Sequence, residues 1–307
     1  MAYPNTNWNQ ITAITQDLII PKLYDNITDS NMLFKKLEVK KEMKDGGNKI
    51  RVPLTYALGA YGGWYSGMDT LNTTDTDMFT NLEFDWKQIH EPIVISGRDE
   101  AINGGTKGIL QLVKEKTKMA QKTIRNTIGT GLYNAGTTTD AILGARLFCS
   151  TSSTYGGISQ TTYSWLQSNV DTSTTMSISA MQGLWGDCNL DNEYPDLIMS
   201  TQDNYDRYYL TLQPQQRFAD DKIKSGGFTS LKFNQADVVV DSHVPSGYML
   251  FFNTEYLHLF GLDGNWFRFR PFQTPDNQDG KIAHIFTYLA LACSSPARQG
   301  VFTSLAA

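Results

Sequence analysis

A chain of 307 residues with 40% hydrophobic and 19% charged residues is too apolar for disorder. It is long enough to bury roughly 75% of the surface its unfolded form exposes, as one large domain or two joined ones. The net charge of −5 argues against a general nucleic-acid binder and leaves room only for a local basic patch.

The opening "MAYPNTNWNQ" lacks a charged-then-apolar signal, and "IAHIFTYLALA" (282–292) falls short of the roughly 20 residues of a membrane span. The expectation is a chain made and folded in a cytoplasm, with no membrane partner. Cys149, Cys188 and Cys293 are odd in number and far apart, without zinc or disulfide spacing, and read as reduced, buried thiols.

Residues 1–37 carry scattered apolar positions, among them Ile11, Ile14, Leu18, Ile19, Leu23 and Leu33. They read as an arm that needs something else to pack against, with a weak helical period over 11–24. Ile50, Val52, Leu54, Tyr56 and Leu58 then alternate strictly, which predicts a half-buried strand. Leu82, Phe84 and Trp86 alternate again, and the phase shifts toward Ile89, Ile93 and Ile95, which predicts a bulge or a change of packing partner.

Between these strands lies "GAYGGWYSGMDTLNTTDTDMFTN" (59–81). Connections this long are uncommon in compact domains unless they have a function. Strands, glycines and aromatics together predict a two-stranded ribbon reaching out from the body, one that rests on another surface because a lone ribbon is marginal in water. Trp64, Tyr65 and Met68 are large apolar residues in a glycine-rich tip, accompanied by Asp69, Asp75 and Asp77. Such residues are favoured interface anchors, and they mark a candidate intersubunit element.

Residues 106–134 predict a long amphipathic helix. Ile109, Leu112, Val113, Met119, Ala120 and Ile124 share one arc, while Lys107, Lys114, Lys118, Lys122 and Arg125 share the opposite one. Lys116 lies on the apolar side, where it is expected to snorkel to a rim. Gly129 and Gly131 are expected to weaken the far end. The basic stripe has three readings: a solvated face, a partner for the acidic ribbon of a neighbour, or a surface for sequence-independent phosphate contacts, which is favoured slightly over the second because five like charges suit a uniform polyanion.

Residues 137–177 are rich in Ser, Thr and Gly and read as irregular surface. Ser177 is a fitting N-cap for a short helix carrying Ile178, Met181, Leu184 and Trp185. A strand at "DLIMS" (196–200) and a helix from Asp203 follow. "FTSLKF", "DVVVD", "YMLFFN", "WFRFRPF" and "IAHIFTYLALA" supply further strands. Helices and strands mix without βαβ alternation, so the class is α+β.

Motifs that carry chemistry are nearly absent. "NGGTKGIL" (103–110) lacks the frame of a phosphate loop, and "DTLNTTDTD" (69–77) lacks the glycine and glutamate of a calcium loop. The four histidines, His90, His243, His258 and His284, show no helical ligand spacing. "VVVDSHVPSGY" (238–248) sets Asp241, Ser242 and His243 side by side, but in an extended strand Asp241 and His243 stand roughly 6.6 Å apart. A triad needs about 2.6–3.2 Å. A Ser/His hydrolase is therefore a remote alternative, and the expectation is no enzyme, cofactor or metal.

The order of parts, with "WKQIHEPIVISGRDEAINGG" (86–105) entering the long helix and "DVVVDSHVPSGYMLFFN" later, resembles the major capsid protein of tailed bacteriophages, the Hong Kong 97-type shell fold. The resemblance covers essentially the whole chain. It implies an N-terminal arm at 1–37, an extended loop at 38–96 overlying a neighbouring subunit, and a peripheral domain with the spine helix at 97–149 and 262–295. The axial domain, at 150–261 and 296–307, would meet its copies at hexamer and pentamer centres.

By the same resemblance the chain self-assembles into an icosahedral shell around packaged double-stranded DNA, held without sequence specificity. Scaffolding, portal and decoration proteins are further implied partners, and the virion is the implied location, with assembly in the host cytoplasm. Some relatives carry a cleaved scaffolding segment, whereas here the arm begins almost at once; the expectation is separate scaffolding or an already mature chain. An encapsulin-like nanocompartment, which shares the fold and loads protein cargo, is the nearest alternative.

Overall fold

The computed structural model describes residues 31–102, 106–216, 231–276 and 278–305, so the predicted helical period at 11–24 lies outside the described residues. The described chain opens on helix α1 (Met32–Val39), whose N-cap Asn31 accepts the Phe34 N–H at 3.1 Å. Leu33, Phe34 and Leu37 are buried. Leu33 was expected in an unpacked arm, yet it sits in the main core.

Strands β1 (Glu42–Lys44) and β2 (Lys49–Thr55) follow, and β2 pairs antiparallel with β3 (Phe79–Asp85) from Lys49↔Asp85 to Thr55↔Phe79. The register sets Ile50 opposite Phe84 and Val52 opposite Leu82, so the two alternating patterns share one face. Strand β4 (Lys87–Ser96) begins a single residue later but belongs to another sheet. The phase shift after Trp86 is this change of partner.

Helix α2 (Gly97–Ile102) leads to α3 (Thr106–Leu132), which buries Ala120, Ile124, Ile128 and Leu132. Lys116 does reach a rim, where its Nζ donates to the Val94 carbonyl at 2.7 Å. The helix runs through Gly129 and Gly131 and ends one residue after them. A Cβ at Gly129 would stand 2.5 Å from Asn31 Nδ2, and one at Gly131 would stand 2.9 Å from Ile142 Cγ1. These glycines let neighbouring segments approach the helix closely.

The Ser/Thr/Gly-rich stretch departs from its reading as surface. It holds α4 (Ala145–Phe148), the hairpin of β5 (Thr154–Tyr155) and β6 (Ile158–Ser159), and β7 (Asn169–Asp171). Phe148, Tyr155 and Leu166 are fully buried. Gln160, also buried, donates to the Phe148 and Leu166 carbonyls at 3.0 and 3.1 Å, and the Cys293 N–H donates to the Tyr155 hydroxyl at 2.7 Å. Side-chain amides and hydroxyls thus satisfy backbone that no ladder reaches.

Helix α5 (Ile178–Asp187) carries the predicted cap, Ala180 N–H donating to Ser177 Oγ at 3.1 Å. After it come β8 (Leu197–Ser200), α6 (Gln202–Gln216), β9 (Leu231–Phe233), β10 (Ala236–Val240) and β11 (Met249–Phe252). These strands, with β7 and β15 (Gly300–Phe302), form a six-stranded sheet in the order β7-β15-β11-β8-β10-β9. Met249 and Phe251 meet α5 and α6 on one face; Leu250 and Phe252 join the main core on the other.

The second sheet is organised by β14 (Gly280–Cys293), paired along one edge with β4. Leu289 faces Lys87 on that edge and Gly261 on the other, so β12 (Leu257–Leu262) and β13 (Arg268–Gln273) run in succession along the opposite side. Strand β1 adds in parallel to β12. Helix α3 covers the face that carries Ile93, Ala283 and Ile285. The α+β expectation holds.

Candidate intersubunit surface

The ribbon of β2 and β3 has a seated root and a bare tip. At the root, the buried Leu82 and Phe84 pack on the body, with Phe84 edge-on to Tyr155 at 5.3 Å between centroids. The Glu83 N–H donates to the Gly156 carbonyl at 3.0 Å. On the opposite face Lys49 and Arg51 reach Glu83 at 3.1 and 3.0 Å, and the Lys49 hydrogen bond foremost holds the Glu83 carboxyl below its ordinary range.

Between the strands, residues 56–78 form no strand. From Leu58 to Phe79, seven large apolar side chains are each at least 51% exposed, and Trp64 and Met68 are wholly exposed. Tyr65, Asp69, Asp75 and Asp77 are exposed as well. Asp69 accepts the Ser66 N–H at 3.0 Å, which shapes the turn. Exposed apolar side chains gathered in one segment make it a candidate interaction surface. The sequence reading singled out three of the seven. Leu58, Tyr61 and Leu71 carry the same signal, since they lie exposed in the same stretch, while Phe79 opens β3 beside Tyr163 and Trp165.

The basic stripe is less uniform than its spacing suggested. Lys114 is exposed, Lys118 pairs with Glu115 at 3.0 Å, and Lys122 is half-buried with a partner of its own. The Arg125 guanidinium lies over the Phe267 ring at 5.8 Å. The side chain of Lys107 lies outside the described residues.

Asp241 and His243 correct the strand-based distance. Strand β10 ends at Val240, the chain turns, and His243 Nδ1 comes within 2.9 Å of Asp241 Oδ1. The pair still makes no nucleophile site, because His243 Nε2 faces Asn126 Oδ1 at 2.8 Å. Asp241 is a buried hub: its Oδ2 accepts the Leu33 N–H at 3.4 Å and the Tyr133 hydroxyl at 3.2 Å. Burial first, and the Asp241 charge second, push the Tyr133 phenol well above its ordinary value.

A second carboxylate, Asp196, accepts from the Thr254 N–H and hydroxyl at 2.7 Å each and from Lys36 at 3.0 Å. Burial raises the Asp196 carboxyl, but these bonds outweigh it and leave it below its ordinary value. Both carboxylates tie α1 to the sheets.

No family model matches the chain, and no curated protein matches it. Solved structures do, over nearly full length on both sides. The capsid asymmetric unit of cyanophage A-1(L) aligns at a TM-score of 0.72 and 15% identity, covering 97% of this chain and 99% of that one. The capsid of a native GTA particle aligns at 0.69 and 9% identity, covering 100% of each. The fold is the Hong Kong 97-type capsid fold. The holo-SrpI encapsulin complex of Synechococcus elongatus PCC 7942 shares it at 0.63 and 9% identity, covering 100% of this chain and 97% of that one. No helix of the described residues is long and apolar enough to cross a membrane.

Proposed function

We propose that this chain is a major capsid protein that self-assembles, as hexamers and pentamers, into an icosahedral shell enclosing double-stranded DNA. The observation that carries the reading is the ribbon tip, whose large apolar side chains from Leu58 to Leu71 stand exposed among the described residues. A tip of this kind on a shell-type fold is supplied with its partner by an adjoining copy. In this reading residues 1–37 are the arm, 38–96 the extended loop, 97–149 with 262–295 the peripheral domain, and 150–261 with 296–307 the axial domain. The protein acts structurally, its location is the virion, and assembly takes place in the host cytoplasm beside scaffolding, portal and decoration proteins.

Lys114, Lys118, Lys122 and Arg125 face the shell interior, where phosphate contacts are independent of sequence and sensitive to salt. Changing Lys114, Lys118 and Lys122 together to Glu then permits empty shells and impairs filled ones. The likeness to an encapsulin supports a second reading, a compartment loaded with protein. Negative-stain images of the purified protein test both. Closed particles of uniform size with nuclease-protected DNA are expected; particles holding protein cargo favour the compartment, and monomers alone overturn the proposal.

A further inference from the structure

Where the ribbon meets the body, the rings of Tyr56, Phe79, Tyr163 and Trp165, with Ile158 and Asp77, line a slot of about 210 Å³. Tyr56 stacks on Trp165 at 5.5 Å between centroids, and Tyr163 tilts against Trp165 at 6.2 Å. Phe79 and Tyr163 are exposed, so the slot opens to solvent. Aromatic faces are negative at their centres, and several around one space favour a cation. Asp77 adds a formal charge, and no lysine or arginine of the described residues pairs with it. The whole stretch 56–78 holds three aspartates and neither lysine nor arginine.

We propose that this slot is a socket for an organic cation, filled by a lysine or arginine side chain of a second copy of this chain. The inference rests on the shell reading for its occupant and on the slot's own chemistry for its ligand class. Trp165 also carries a buried Nε1–H with no acceptor among the described residues. An ammonium ion brings only donors, whereas a docking segment brings a cation together with backbone carbonyls that can accept the indole N–H. Exposed guanidinium groups fit to serve are present on the same chain: Arg268 and Arg270 on β13 meet no carboxylate among the described residues.

Ethylguanidinium chloride is the probe, read by tryptophan fluorescence of the full chain before and after assembly, with Trp165→Phe isolating the signal of that ring. N-ethylurea is the neutral isostere. In unassembled subunits ethylguanidinium changes the Trp165 signal, N-ethylurea does not, and Asp77→Asn weakens the response about fivefold. In assembled particles the response disappears because the socket is filled. Equal responses to both probes would overturn the cation socket. An undiminished response in particles would overturn the second copy as its occupant. If the wild-type chain forms no particles, the shell reading fails and the occupant with it, while the subunit titration still decides the ligand class.

Discussion

At the root of the ribbon Leu82 and Phe84 are buried against Tyr155, while at its far end Trp64 and Met68 stand wholly in solvent. Both ends use large apolar side chains, and both follow from the same two strands. The root has a partner within the chain, the 155–165 segment; the tip from Leu58 to Leu71 has none among the described residues. Apolar patterning therefore states that a residue wants burial, and only the fold states whether its own chain supplies it.

The largest expected effect is all-or-none. Replacing residues 58–77 by a short Gly-Ser linker leaves β2 and β3 intact and should abolish closed particles. The thermal midpoint of the unassembled subunit should shift by no more than about 2 °C. Particles of normal size in electron micrographs would break the contrast between root and tip.

Single substitutions sharpen it. Phe84→Ala should lower subunit stability in urea titrations by about 4 kcal/mol, whereas Trp64→Ala should stay within about 0.5 kcal/mol. Comparable losses at both sites would mean that the tip packs on its own chain. Asp241→Ala leaves the Leu33 N–H, the Tyr133 hydroxyl and the His243 backbone N–H without their acceptor. It should cost about 3 kcal/mol, read by the same titration, and place this hub with the root.

The smallest effect is a pH dependence. The folded Asp196 carboxyl lies below its ordinary value of 3.8, so its stabilisation is full above that pH and is lost as pH falls through the lower folded value. Because the group is partly exposed, the difference should stay under about 1 kcal/mol. Comparing wild type with Asp196→Asn between pH 2.5 and about 6 in denaturant titrations reads it; parallel curves would remove Asp196 from the anchoring of α1.

Where periodicity is long, the sequence is legible: the alternations from Ile50 to Leu54 and from Leu82 to Phe84, the burial of Ala120 and Ile124 on α3, and the Ser177 cap stand as read, whereas the strand expected to reach Leu58 ends at Thr55 and leaves Leu58 exposed. The tip is legible too, since its aromatics lie among glycines. The stretch around Tyr155 is not, because two-residue strands joined by glycine turns leave no period to detect. Asp241 and His243 were misjudged in distance because a strand geometry was applied one residue past the strand's end. The close approaches at Gly129 and Gly131 depend on segments far away in sequence, which no local propensity encodes.

Trp86 is the whole connection between β3 and β4, and its indole N–H donates at 2.9 Å to the carbonyl of Gly47, just before β2. No ladder joins the ribbon's sheet to the β4 sheet. The ribbon is thus a cantilever clamped at two points along its length, by Leu82 beside Gly156 and by Tyr56 stacked on Trp165, and the exposed side chains from Leu58 to Leu71 lie beyond the second clamp.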